Sequence, residues 1–544
     1  MDNIERESYR IKKSPGFLEG QNSAVDASVI KESEAALLSN VRWKRGKWIR
    51  DTGGPAVVNA SDVVVEFSGF PQAIIEHRLQ TGIIETILIT TNTAYRLVGE
   101  NWNQLLNGAG AALVLSGEID KRVTWASAPW DDRLVFTNQI DVVQYYSPTD
   151  NRVRTLNSLA ASLPANIKAA AVCVFDASIF LLGTEENGSD FPQRARWHAK
   201  GDTTAWTTLD AGFQDFLEIP DPIVTGKKLG PYLAIYRTRT ITRGEVVTAD
   251  DRRFHFEDAV VNAPVLSAQA VVDVQDVHYV FGANDFFIYR GGVDVDNSFA
   301  VKIKDEIFEE IDPDFYGACY SYYDKTLKEV WFLYPFTTIE LDDGISAVQE
   351  FNTYRMYRYH LLSTAWSRRL FEQKHIHAIG STASVTGANL TWDAAEGTWA
   401  QQVISWNDVV LLEGSPTVYL GYIDVPDTNS TKLERYDYFS PTDAGTDILP
   451  EIHSKVFEDE LGFELTFDSL DYQFQGGDHH VSIVGLNSEI LGFSVDTSLA
   501  TYSFPINRVD GQVTDKVLQI HWIGEGEGFV LGRFAFRYSI ETEF

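Results

Sequence analysis

The sequence predicts an all-β protein built on a β-propeller of six or seven blades, with an N-terminal arm and a C-terminal β-sandwich. Three observations predict it. Short apolar-aromatic runs recur from near residue 84 to near residue 420, each followed by a turn and a second aromatic strand. Most neighbouring runs stand roughly 45–55 residues apart, the range of a four-stranded blade. Helical periodicity is scarce, while Thr, Val, Tyr, Phe and Trp are plentiful in a chain that is 44% hydrophobic and 12% aromatic. A closed ring of blades hides most strand edges, and this keeps a long all-β chain soluble.

Residues 1–54 read as an arm. Its start is polar, and Ser14-Pro15-Gly16 interrupts any regular element. Asp26 to Asn40 predicts one short helix, capped by Asp26, with Val29, Ile30, Leu37 and Leu38 on an apolar face. A basic aromatic segment follows: Arg42, Trp43, Lys44, Arg45, Gly46, Lys47, Trp48, Ile49, Arg50. Strand alternation puts Trp43 and Arg45 on one face and Lys44 on the other. Three uses are open to it: stacking on and neutralising a nucleic acid, docking on an acidic neighbour through Trp43, Trp48 and Ile49, or simply starting the propeller. Arg42, Trp43, Lys44, Arg45, Lys47, Trp48 and Arg50 are therefore the candidate partner-binding residues. With too few apolar residues to fold alone, the arm is expected to be extended or poorly ordered in an isolated subunit.

Residues 55–425 hold the repeats. Ile87-Leu88-Ile89 leads to Ala94-Tyr95, and Leu134-Val135-Phe136 to Tyr145-Tyr146. Ile179 to Leu182 leads to Arg196-Trp197, and Leu233 to Tyr236 leads to Thr240-Ile241. Tyr279-Val280-Phe281 leads to Phe286-Phe287, Val330 to Leu333 leads to Met356-Tyr357, and Val409 to Leu412 leads to Val418-Tyr419. The last interval is longer, which predicts an insertion in one blade. The turn Tyr145-Tyr146-Ser147-Pro148-Thr149-Asp150 returns as Tyr438-Phe439-Ser440-Pro441-Thr442-Asp443, in line with shared blade ancestry. Lys304 to Asp312 predicts a short helix stopped by Pro313. Residues 426–446 are polar and turn-rich. The alternating segments that follow, such as Leu518 to Trp522 and Phe534 to Ile540, with turns at Gly476-Gly477 and Glu525 to Gly528, predict a sandwich over 426–544.

The net charge of -32 is unevenly spread. Residues 1–50 carry ten Lys/Arg and seven Asp/Glu, a balance of 10 - 7 = +3, so the remainder carries -35. Such acidity argues against ordinary nucleic-acid binding, which needs basic patches to displace counterions. It serves solubility, or it faces a polyanion that must not stick. Cys173 and Cys319 sit in apolar strand contexts and read as buried thiols in a chain made in a reducing compartment. Met1 to Arg6 is charged, so no signal peptide is expected, and Ala169 to Gly183 is too short to span a bilayer.

Catalytic and metal motifs are not evident. His375 and His377 share a strand face but lack a third ligand. His479-His480 follows Gly476-Gly477-Asp478 in a predicted exposed turn. Asp294 to Asn297 offers alternating oxygens without the spacing of a calcium loop. Gly201-Asp202-Thr203-Thr204-Ala205-Trp206 faintly resembles the Asp-box of sialidase-like propellers but lacks its residue order, so it reads as a blade turn closed by a packed Trp. No catalytic residue, metal or cofactor is expected, and the chain is not expected to be an enzyme.

Gly20-Gln21-Asn22, then Leu37-Leu38-Ser39-Asn40-Val41, then Gly46-Lys47-Trp48 with Arg50 and Gly53, resembles the opening of tail-hub proteins from short-tailed bacteriophages. The turn between Trp197 and Trp206 resembles blades of the same proteins. The likeness covers the arm and propeller, roughly three quarters of the chain by this repeat reading. It implies a structural tail nozzle, or tail tubular protein, in the virion tail, made in the host cytoplasm. It implies a hexameric ring below portal and adaptor proteins, contacts with tail fibre or needle proteins, and transient passage of double-stranded DNA, with no membrane insertion. The alternative is a carbohydrate-binding or glycosidase-like propeller acting in receptor recognition.

Overall fold

A computed structural model describes residues 10–541 apart from 15–16, 45–46, 59–62, 99–100, 161, 208–209, 248–252, 312, 337–352, 372–373, 383–416, 425–429, 437–441, 444–445, 459–463, 476–478, 485–488, 496–505, 516 and 525–529. Among the described residues the chain forms a β-propeller of seven blade sheets, six with four antiparallel strands and one with three. Blade 1 holds Pro71–Arg78, Ile84–Thr90, Ala94–Val98 and Asn101–Gln104. Blades 2, 3 and 4 open with Thr124–Ala128, Lys168–Phe175 and Ile223–Leu229. Blade 5 holds Val271–Asp273, His278–Phe281 and Phe286–Tyr289, plus a bridge from Ile288 to Asp296. Blade 6 holds Tyr320–Asp324, Glu329–Phe336, Thr353–His360 and Ala365–Leu370. Blade 7 holds Lys374–Thr382, Thr417–Asp424 and Ser430–Tyr436.

The inner strands explain the apolar runs. Each blade is a sheet covered on both faces by its neighbours, so its central strands need have no polar face. Accordingly Glu85 to Thr90, Leu134 to Thr137, Leu233 to Arg237 and Phe286 to Tyr289 are buried without a break. The predicted run Val409 to Leu412 lies outside the described residues. So does the second Ser-Pro turn, at 439–441; the first closes the hairpin between Gln144–Ser147 and Arg152–Thr155 of blade 2. The extra chain length falls between the first two strands of blade 7, at 383–416, also outside the described residues.

The ring closes by chain exchange. Five early strands are Arg10–Ser14 (β1), Leu37–Ser39 (β2), Val41–Lys44 (β3), Lys47–Arg50 (β4) and Glu66–Ser68 (β5). β5 pairs with Ser430–Tyr436 and supplies the fourth strand of blade 7. A Cβ at Gly380 would overlap the Ile74 carbonyl oxygen, so the seam between blades 7 and 1 needs glycine there. The propeller thus runs from Glu66 to Tyr436 rather than over 55–425, because strand Ser430–Tyr436 forms inside the polar, turn-rich segment 426–446 that looks like its end.

The sandwich is built from both chain ends. One sheet orders β3, β4, Val530–Glu541, Glu464–Gln475 and Ile506–Asp515, with β1 also on Val530–Glu541. The other orders Glu451–His453, Val517–Gly524, His479–Val484 and Glu489–Val495. β2 connects this second sheet to Ala365–Leu370 of blade 6. Between the sheets lie Leu38, Val41, Trp48, Leu470, Ile520 and Trp522, all nearly inaccessible. Val517–Gly524 alternates inward and outward along its length, as its sequence predicts. The strands within 10–50 and those from Glu451 onward are therefore two parts of one sandwich, and Ser430–Tyr436, inside the expected 426–544 domain, belongs to the propeller.

Two expectations for the arm are corrected. Asp26 to Asn40 forms turns and then β2, not a helix. Asp26 does cap, but it caps a turn, accepting from the Ser28 amide at 2.9 Å. A segment this short gains little as an isolated helix, and strand partners in blade 6 and the sandwich outweigh its propensity. Nor is the arm free of its own chain from Phe17 onward, since it fills the sandwich core. The helix at Lys304–Glu310 forms as predicted, with Ile307 buried.

Candidate functional site

The residues that carry the sequence likeness converge on one joint between propeller and sandwich. Gly20 has φ +79°, and a Cβ there would sit 2.6 Å from the Trp366 amide nitrogen of blade 6. Only glycine tolerates both conditions. The Gln21 amide donates to the Trp366 carbonyl at 3.0 Å, and its side chain accepts from the Leu38 amide at 3.1 Å. Asn22 donates through Nδ2 to Glu34 at 2.9 Å. Asn40 adopts φ 54°, accepts from the Leu370 amide at 3.0 Å and donates to the Leu449 carbonyl at 2.9 Å. One asparagine thereby ties the arm to blade 6 and to the start of the sandwich.

Under these contacts lies a buried ion cluster. The Asp51 carboxylate is wholly inaccessible, 2.7 Å from Arg358 and 3.0 Å from Arg369. It accepts from the Thr52 amide at 2.8 Å and from the Tyr436 hydroxyl at 3.4 Å. Arg358 also donates to the Val41 carbonyl at 2.6 Å. Arm, blade 6 and blade 7 thus meet on one carboxylate. Burial alone would raise its pKa, but Arg358, Arg369 and Arg42 together hold it well below the usual carboxylate range. Glu329 beside Trp331 differs: burial pushes it up to about 7, against the opposing pull of Arg358.

The candidate partner-binding residues divide. Trp48 is 1% exposed, donates to the Phe17 carbonyl at 3.1 Å and meets Trp43 edge to face at 5.2 Å. Arg42 and Arg50 are buried in their own chain, so with Trp48 they offer a second molecule no surface. Trp43 and Lys47 are half-buried, and Lys44 is exposed. Arg45 lies outside the described residues. Asp51, Arg358 and Arg369 were missed from sequence because nothing local distinguishes them from solvated charges.

The other candidates have structural uses. His377 sits on a β-bulge and packs on Tyr354 at 4.7 Å, and the His375 side chain lies outside the described residues. His479 is buried within a strand rather than exposed in a turn, because it pairs with both Gly524 and Val495. Asp296 accepts from the Ser298 amide at 3.0 Å and Oγ at 2.6 Å. Trp206 is buried and donates to the Thr203 carbonyl at 2.8 Å, the packed blade turn its sequence predicts. Among the described residues, no group of three His, Cys, Asp or Glu stands close enough to hold a metal. No helix among them is long and apolar enough to cross a membrane. Both cysteines are buried and unpaired, and burial pushes the Cys173 thiol up to about 12.

A second feature is a cleft of about 410 Å³ on the rim of blades 3 and 4. Phe216, Leu217 and Phe256 line it with Asp215, Glu257 and Asp258. Asp215 is held by Arg194 at 2.7 and 2.8 Å, and Asp258 by Arg237 at 3.0 Å.

No family model matches the chain, and no curated protein sequence does. Among solved structures it is similar to PorZ, a surface component of the type-IX secretion system of Porphyromonas gingivalis, at 9% identity and TM-score 0.36. That match covers 73% of this chain and 44% of PorZ, so the chain spans under half of that protein. It is also similar to an exo-β-1,3-galactanase from Phanerochaete chrysosporium, at 8% identity and TM-score 0.26, covering 89% and 99% of the two chains. A gluconolactonase from Xanthomonas campestris matches at 10% identity and TM-score 0.29, covering 55% of this chain and 94% of that one.

Proposed function

We propose that this chain is a structural subunit of a phage tail nozzle, a ring whose channel retains and then conducts double-stranded DNA. The observation that supports it most is the joint. Among the residues resembling tail-hub proteins, Gly20, Gln21 and Asn40 tie the arm to blade 6, and Trp48 anchors the arm in the sandwich core. A ring subunit that bears load during DNA passage needs such a fixed angle, and a buried ion cluster with two core layers resists shear there. The net charge of -32 supports the same reading, since an acidic channel wall does not grip phosphates. The role is non-catalytic. Native mass spectrometry of the purified chain, alone and with portal-adaptor protein, tests it. A closed ring, expected as a hexamer, supports the nozzle; a monomer under every condition defeats it.

The rim cleft favours a second reading, carbohydrate binding. A half-buried aromatic ring, Phe256, beside carboxylates offers apolar contact and hydrogen-bond acceptors to a sugar ring. Incubation with bacterial polysaccharides distinguishes the two. Binding lost in Phe256→Ala supports the cleft, and turnover abolished by one carboxylate substitution makes the chain an enzyme.

A further inference from the structure

Where the blades meet, the molecule buries a cation that no carboxylate among the described residues neutralises. Arg122 stands two residues before the first strand of blade 2, and its side chain is fully inaccessible. Nη2 donates to Gln269 Oε1 at 3.2 Å and to the His377 carbonyl at 2.5 Å. The guanidinium carbon lies 4.4 Å from the centroid of the Tyr320 ring. These contacts join the linker into blade 2, the linker into blade 5 and the first strand of blade 7. Gln269 extends the network through Nε2 to the Gln72 carbonyl of blade 1 at 3.2 Å.

Two guanidinium donors are left over. Among the described residues, Nε and Nη1 of Arg122 are buried with no acceptor, and the buried Tyr354 hydroxyl also has no partner. The groups acting on the Arg122 charge are Tyr354, Tyr320 and Cys319; no carboxylate is among them. Burial therefore lowers the Arg122 pKa, whereas Arg358 with its carboxylate neighbours is raised. A guanidinium nevertheless stays charged, and an uncompensated buried charge is far more costly than an unmade hydrogen bond. Water satisfies N–H groups but leaves the charge. An anion satisfies both.

We propose that Arg122 holds a small monovalent inorganic anion of the halide class between its Nε and Nη1 groups and the Tyr354 hydroxyl. A spherical acceptor suits donors that arrive from two different elements, and the aromatic walls Tyr320 and Tyr354 give no second cation for a polyvalent oxyanion. The bound anion neutralises the hub through which blades 1, 2, 5 and 7 are linked. It acts as a structural ion and is independent of the nozzle reading.

The test uses the full chain and bromide. Thermal unfolding is followed in sodium bromide and in sodium gluconate at equal ionic strength, for the wild type and Arg122→Met. The wild type is expected to gain about 2–6 °C from bromide, saturating with concentration, by the linkage expected of a ligand bound to the folded state. Arg122→Met, which replaces the charge with an apolar side chain of similar length, is expected to lose that bromide-specific gain. Should Arg122→Met not fold, Tyr354→Phe serves instead and is expected to raise the half-saturating bromide concentration several-fold. Anomalous diffraction from bromide-soaked crystals should place a peak beside Nε and Nη1. Equal melting in the two salts, an undiminished response in the variants, or ordinary water at that position would each overturn the proposal.

Discussion

Removing the Asp51 carboxylate tests the joint most directly. In Asp51→Ala the partners stay buried: Arg358 is 1% exposed and Arg369 is fully inaccessible. They lose ion pairs of 2.7 and 3.0 Å, and the Thr52 amide and Tyr436 hydroxyl lose an acceptor. Breaking a buried pair costs about 3–5 kcal/mol, because the remaining charge is left uncompensated. Two guanidinium groups share this carboxylate, so the upper half of that range is expected. An exposed pair sets the contrast. Lys31 and Glu19 sit 2.7 Å apart with side chains 65% and 40% exposed, and Lys31→Ala should leave the unfolding midpoint almost unchanged. Urea unfolding gives the magnitude. Hydrogen exchange gives the place, with lost protection expected at Leu38, Asp51 and Leu370 before the blades distant from the joint. An Asp51→Ala variant within 1 kcal/mol of wild type, or uniform loss of protection, would refute the account of the cluster as the tie between arm and propeller.

Trp48→Ala should destabilise by about 3–5 kcal/mol, the usual cost of emptying a tryptophan site in a core, and should loosen the sandwich while near-native propeller signals persist. Deleting residues 1–50 removes β2, β3, β4 and Trp48, so the expected product has an exposed sandwich core and aggregates; a soluble deletion variant with intact sandwich strands would contradict this. Acid should weaken the fold between about pH 6.5 and 4. His198 and His278 are buried neutral with pKa values lowered by burial from 6.5 to about 4, so their contribution is full above 6.5 and lost as pH falls, about 3 kcal/mol each by linkage. His198→Gln should flatten that slope in a series of melting temperatures. Glu329 runs the other way: raised from 4.5 to about 7, it holds a proton in the folded state that the unfolded chain releases, so its contribution fades as pH rises through that window. Glu329→Gln should therefore stabilise at pH 8 relative to its effect at pH 5, and a pH-independent effect would show that the carboxyl is not protonated.

The sequence by itself determined the local pattern. Runs such as Leu233 to Tyr236 and Phe286 to Tyr289 were legible because a blade strand is covered on both faces, and continuous apolar character is all that demands. The short helix at Lys304–Glu310 and the packed turn at Trp206 were legible for the same reason: their signals lie within a few residues. The residues of the joint could be picked out, but not their use. Tertiary structure alone decided that β2 is a strand and not a helix, since its partners are Arg368 on one side and Ile452 on the other. It decided that the arm belongs to the sandwich, that β5 completes blade 7 and that Trp48 faces a core instead of a partner. It also decided which of many charges are buried. Asp51, Arg358 and Arg369 read as ordinary surface residues, and so does Arg122. Whether a charge is solvated or sealed depends on which distant strands close over it, and periodicity along the chain carries no record of that.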